Sequence, residues 1–212
     1  MEQQTYGAGT GRHWDWRLGP EEPWHLGRAP ECPGQALEAA RPWLLLDFDG
    51  VVSVTASAKR RRHMCYHHGW RQRRFGPWDE VIFWNPAVLV SLQRLALETG
   101  AELAWGTMRE EWAAVWAAPA LSLPAMPVSP AGSYLTEDGD RVCKSAGIVP
   151  FTGGRPFVWF DDEEENVRDA ADLAGSQPHL VILTSEYEGL QEAHIDQARE
   201  WLTGLREQGG HG

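Results

Sequence analysis

Residues 44–52 read LLLDFDGVV. Three leucines lead into two carboxylates, Asp47 and Asp49, which flank a phenylalanine and are followed by Gly50 and two valines. A short continuous apolar run is the pattern of a strand buried on both faces. Two readings explain acids at its end. Either the strand surfaces into water there, or the acids form a metal and phosphate site at the strand end. The stretch alone does not separate them, so the rest of the chain has to.

Working outward, WLLLDF (43–48) is the first of five expected strands. The others are AELAWG (101–106), AMPV (125–128), FVWF (157–160) and HLVILT (179–184). Asn85 and Pro86 form an N-cap and first-turn signal. Leu89, Leu92 and Leu95 or Ala96 then share a helical face, and Gly100 stops the helix. Trp112, Val115 and Trp116 predict a helix from Arg109 to Ala118, ended by Pro119. Further helices are expected over 163–174 and over 188–205, with Leu190, Ile195, Ala198 and Leu202 facing inward. Strands alternating with helices predict an α/β fold with a five-stranded parallel sheet and right-handed crossovers.

Residues 1–41 hold isolated aromatics among glycines and prolines without periodicity, which predicts a flexible N-terminal arm. The main domain is expected over 42–205, and residues 206–212 are expected as a disordered tail. The 212 residues suit one domain with a substantial core. Three scattered cysteines do not form a disulfide framework. The start MEQQTYGAGT lacks a signal-peptide pattern, and no apolar run approaches a membrane span. Together these features predict a soluble, cytoplasmic protein.

In an open parallel sheet, ligands bind beyond the carboxyl ends of the strands, where strand order reverses. The expected strands end in Asp47 and Asp49, in Thr107, in Asp161 and Asp162, and in Thr184. Each alone is an ordinary cap or loop residue. As a set, the two acidic ends can converge on one divalent cation, and hard oxygen ligands suit Mg²⁺ that keeps several waters. Asp161 and Asp162 can at the same time serve the dipole of the helix that follows.

The hydrophobic strand followed by DFDG resembles the first motif of the haloacid-dehalogenase-like (HAD) phosphohydrolases. Thr107 after ELAWG resembles their second motif, Lys144 their third, and WFDDEEEN their acidic fourth. The runs AWGTMREEW and RPFVWFDDE, with Gly189, Leu190, His194, Trp201 and Leu202, are similar to a branch that includes domains of bacterial RNA-repair proteins. The resemblance covers about residues 43–185 and implies a Rossmann-like three-layer sandwich. It implies Asp47 as a nucleophile forming an aspartyl-phosphate and Asp49 as general acid and base. Thr107 and Gly50 would hold the phosphoryl group, and Lys144 would neutralise its charge. Asp47, Asp161 or Asp162, and the backbone carbonyl of Asp49 would ligate Mg²⁺. Val51, where many relatives carry threonine, leaves this chemistry intact. Lys144 is one of only two lysines beside 17 arginines, so its position is informative, although Arg141 lies close enough to take its place.

The formal net charge of −11 argues against nucleic-acid binding by the whole surface. Yet residues 59–74, KRRRHMCYHHGWRQRR, hold seven of the 19 basic residues and no acid. They fall in 53–84, where the HAD pattern places a flap or small cap. Arg60, Arg61 and Arg62 are candidates to contact a phosphorylated small molecule or a nucleic-acid end, with residues 59–74 as an RNA contact. His63, Cys65, His67 and His68 lack the paired spacing of a structural zinc site. The sequence thus predicts a Mg²⁺-dependent phosphatase. Its alternatives are a catalytically weak HAD-fold module binding RNA or a protein partner, and a phosphotransferase that shares every residue named.

Overall fold

The computed structural model describes residues 41–77, 79–132 and 143–209. The expected arm, apart from Arg41, lies outside the described residues, as do Arg141 and the last three residues of the expected tail. All described residues belong to one compact unit.

Four parallel strands form the central sheet. They are β1 (Trp43–Leu46), β4 (Glu102–Trp105), β5 (Phe157–Asp161) and β6 (His179–Leu183), in the order β4-β1-β5-β6. Between β1 and β4 come helix α1 (Ala58–His68), an antiparallel hairpin of β2 (Arg71–Phe75) and β3 (Glu80–Trp84), and helix α2 (Pro86–Thr99). A broken helical stretch follows β4: α3 (Glu110–Trp112), a π-helical turn (Ala113–Ala117) and α4 (Ala118–Ala120). Helices α5 (Lys144–Phe151), α6 (Glu164–Ala174) and α7 (Glu192–Gly209) complete the chain order.

The apolar alternation of β1 explains the layering. Leu44 and Leu46 share one core with Leu89 and Leu92 of α2 and with Ile195, Ala198 and Leu202 of α7. Leu45 faces the other way, into a core with Ile148 of α5 and Ala170 of α6. All three leucines are completely buried. Full burial of a leucine stabilises by roughly 1.5–3 kcal/mol each, so β1 anchors both layers. The expected α/β fold with a parallel, helix-flanked sheet is present and is compatible with a Rossmann-like architecture.

The differences from the sequence reading have identifiable causes. The expected strand over 125–128 is reduced to one bridge, Val128 beside Trp105. Pro124, Pro127 and Pro130 deprive this segment of the donors a ladder needs. Helix α5 was not foreseen, because Gly147 and Pro150 read as breakers. Gly147 is required by close packing: a Cβ there would lie 2.2 Å from the carbonyl oxygen of Pro130. The last helix begins at Glu192 and runs to Gly209, through the residues expected to start the tail. Among the described residues, no helix is long and apolar enough to cross a membrane.

Strand order reverses about β1, since the chain goes first to β4 on one side and then to β5 on the other. The carboxyl ends of β1 and β5 therefore flank the crevice where a ligand of such a sheet binds.

Candidate functional site

Backbone hydrogen bonds carry the sheet just past its last ladder pairs. Asp47 donates to Phe160 O at 3.0 Å, Gly106 to Leu46 O at 2.8 Å and Thr184 to Asp161 O at 2.8 Å. These bonds fix the strand ends, and with them the side chains of Asp47, Thr107 and Asp161.

Ligand oxygens of Asp47, Asp161 and Asp162 lie within 4.8 Å of one another. Asp161 is fully buried and Asp47 nearly so. Lys144, at the first turn of α5, reaches them from the helix layer that covers Leu45 and Trp159. Its Nζ donates to Asp47 Oδ2 at 2.6 Å and to Asp161 Oδ2 at 3.2 Å, and it lies 3.4 Å from Glu163 Oε2. Thr107 is buried and its hydroxyl hydrogen-bonds Asp47. Asp47 Oδ1 also accepts from the Phe48 N–H at 2.6 Å.

Asp161 is braced further. Its Oδ1 accepts from the Glu163 N–H and from Asn166 Nδ2, both at 2.9 Å. Asn166 is fully buried and also donates to Glu163 Oε2 at 2.8 Å. The sequence reading did not single out Asn166, although it stands in WFDDEEEN one helical turn after Asp162.

One buried ammonium thus faces the carboxylates of Asp47, Asp161 and Glu163, and the protonation behaviour follows. Burial raises Asp47, and the nearby Lys144 ammonium offsets this only in part. Asp161 is pushed up to about 7 by burial and by the Asp47 charge. The same two causes push Asp162 up to about 6. Burial pulls Lys144 down, but Asp47 and Asp161 outweigh it, so its pKa is raised and it stays charged.

This donor set suits a hard divalent cation, which would relieve the repulsion among the acids. The turn that follows β1 leaves room for the Asp162 carboxylate. Gly50 has φ +68°, and a Cβ there would lie 2.0 Å from Asp162 Oδ2. Only glycine both adopts this conformation readily and clears that carboxylate. The turn is held by Gly50 N–H donating to Ser53 O at 2.8 Å and by Thr184 Oγ1 donating to Gly50 O at 2.9 Å.

Asp49 stands apart from this cluster. Its side chain is 60% exposed, and its two oxygens accept from Arg109 Nε at 2.6 Å and Arg109 NH2 at 2.9 Å. Arg109 also binds Glu80 of the hairpin, NH1 to Oε2 at 2.5 Å and NH2 to Oε1 at 2.6 Å. Burial lowers the Arg109 pKa, but its hydrogen bonds to Glu80 and Asp49, and their charges, raise it by more. Neither Arg109 nor Glu80 was recognised as a site residue. Arg109 read as the start of a helix within AWGTMREEW, and no local pattern marks its pairing with a glutamate 29 residues earlier.

The structure therefore brings together Asp47, Thr107, Lys144, Asp161 and Asp162, places Gly50 against Asp162, and sets Asp49 on the rim. Arg60, Arg61 and Arg62 lie on α1. Arg60 is 3.9 Å from Glu188, and Arg61 donates to the carbonyl of Ala56. Neither contact is with the carboxylate cluster. No family model matches the chain, nor does any curated protein or solved structure.

Proposed function

We propose that the chain is a Mg²⁺-dependent phosphatase of the HAD type, hydrolysing a phosphomonoester through an aspartyl-phosphate on Asp47. The observation that carries this reading is the meeting of Asp47 with Lys144, Thr107 and the Asp161–Asp162 pair at the point where strand order reverses.

Asp47 attacks phosphorus, and the bond from phosphorus to the ester oxygen breaks. Asp49 gives its proton to the leaving oxygen. Water then attacks the phosphorus of the aspartyl-phosphate, Asp49 takes a proton back from it, and inorganic phosphate leaves with Asp47 restored. Lys144 and the Thr107 hydroxyl stabilise charge on the phosphoryl oxygens. Asp47, Asp161, Asp162 and the Asp49 carbonyl would hold Mg²⁺, which supplies charge neutralisation and orients the phosphoryl group.

The test is phosphate release from p-nitrophenyl phosphate with Mg²⁺, comparing the wild-type chain with Asp47→Asn. Equal activity in the two would sink the reading. Transfer of the phosphoryl group to an acceptor other than water is scored in the same assay by adding alcohols.

A second reading is favoured by α1, which buries no side chain and carries Lys59, Arg60, Arg61 and Arg62 in its first turns. The exposed Arg71, Arg73 and Arg74 of β2 extend the positive charge. Under this reading the fold is a catalytically weak module that holds RNA or an acidic protein partner. Salt-sensitive RNA binding without metal-dependent hydrolysis would favour it.

A further inference from the structure

The proposed general acid is not positioned by the sheet. Asp49 lies three residues beyond the end of β1, in a turn, and its carboxylate projects to the rim, where an exposed side chain would ordinarily sample several rotamers. Here both of its oxygens are engaged by one edge of the Arg109 guanidinium. A guanidinium has a planar fork of donors, so a two-point contact fixes orientation as well as distance.

The guanidinium is itself held from three sides. Its other edge makes a second two-point contact with Glu80, and its central carbon lies over two aromatic rings that pack edge to face, 5.2 Å from the Phe48 centroid and 4.8 Å from that of Trp112. Glu80 opens β3, at the end of the hairpin nearest its turn. That turn touches the same aromatic support: a Cβ on Gly76 would lie 3.0 Å from Trp112 Nε1. Further along, the hairpin is joined to the turn after β1, with Val54 N–H donating to Phe83 O at 3.2 Å. The insertion therefore connects to Asp49 by a continuous path of hydrogen bonds and packing that does not pass through the sheet.

We propose that Glu80 is a positioning residue for the hydrolysis: through Arg109 it fixes the ionised carboxylate of Asp49, so the β2–β3 hairpin sets the geometry in which Asp49 takes a proton from the water that attacks the aspartyl-phosphate. This rests on the phosphatase reading above and deepens it, because it makes the insertion part of the catalytic geometry. Removing Glu80 leaves Arg109 without one of its two anchors, and the Asp49 carboxylate loses its fixed direction.

The signature is the step that slows. Dephosphorylation is common to all esters, so Glu80→Ala should lower steady-state kcat on p-nitrophenyl phosphate by roughly tenfold while leaving a stoichiometric burst of p-nitrophenol and letting the phosphorylated chain accumulate. An unchanged kcat, or a slowed burst without accumulation of the phosphorylated chain, would overturn the proposal. Wild-type inactivity on p-nitrophenyl phosphate would overturn the parent reading instead. Hydrogen exchange of the amides over 71–84 then decides the tether by itself. Glu80→Ala and Arg109→Ala should each speed exchange, with no further gain in the double variant; additive effects or unchanged exchange would refute the connection.

Discussion

Asp47 and Asp49 are two residues apart and live in different environments. Asp47 ends a strand buried in both layers, is 3% exposed, and faces a lysine delivered by a helix nearly a hundred residues later. Asp49 is in a turn, mostly exposed, and faces an arginine tied to the β2–β3 hairpin. The buried floor of the site is built by the sheet and by α5, and its rigidity follows from core packing. The rim draws on the segment between β1 and α2, whose helix α1 buries no residue fully and packs only Met64 and Cys65 against the small cluster of Val54, Trp70 and Phe83. The proposed nucleophile thus draws on the stability of the whole domain, and the proposed proton donor draws on local pairing alone.

Several substitutions can break this contrast. Asp47→Asn should abolish aryl-phosphate hydrolysis, a loss at least on the order of 10³-fold, with the fold retained by circular dichroism. Lys144→Ala should cost roughly 10²-fold in kcat. It should also destabilise the metal-free chain by about 3 kcal/mol, since it leaves three carboxylates without their cation. Denaturant titration with and without Mg²⁺ measures the second effect.

The floor should also show itself through pH. Asp161 and Asp162 titrate near 7 and 6 when folded, above the ordinary aspartate value in the unfolded chain. A raised carboxyl contributes stability that is fully present below the unfolded value, near pH 4, and is lost as pH rises through the folded value. The metal-free chain should therefore melt lower at pH 8 than at pH 5, by roughly 5 °C. Mg²⁺ should raise Tm at pH 8 and have little effect at pH 5, where protons already occupy the site. A metal-free Tm that rises with pH across this window would contradict the arrangement of the floor.

Gly50→Ala sits between the two regions. The positive φ and the approach to Asp162 predict a loss of about 1–2 kcal/mol and weaker Mg²⁺ binding, read by calorimetric titration. The smallest effect belongs to the outer insertion. Arg60→Ala, Arg61→Ala and Arg62→Ala should each leave p-nitrophenyl phosphate hydrolysis within about twofold, as expected for surface changes remote from the reacting atoms.

The same division marks what could be read from the sequence. The strands of the sheet's core, the helix from Pro86 and the floor residues carry local signals: apolar runs, an Asn-Pro cap, acids at strand ends. Lys144 was legible as a rare lysine, but its helix was hidden by Gly147 and Pro150; the glycine answers to the close approach of the Pro130 carbonyl from a separate loop. The strand over 125–128 failed because its apolar residues are interleaved with prolines that cannot donate. Arg109 and Glu80 were unreadable for a related reason. A guanidinium shared by one carboxylate from a turn and another from a hairpin strand has no period and no spacing, so only the folded chain brings it into view.

The central claim is that Asp47 carries the phosphoryl group. Rapid acid quench of the wild-type chain during turnover of p-nitrophenyl phosphate with Mg²⁺, followed by mass spectrometry of the peptide holding Asp47, tests it directly. The account predicts one phosphoryl group on that peptide in the wild-type chain and none in Asp47→Asn. Turnover with no phosphoryl group on any peptide, or with one on a residue other than Asp47, would contradict it.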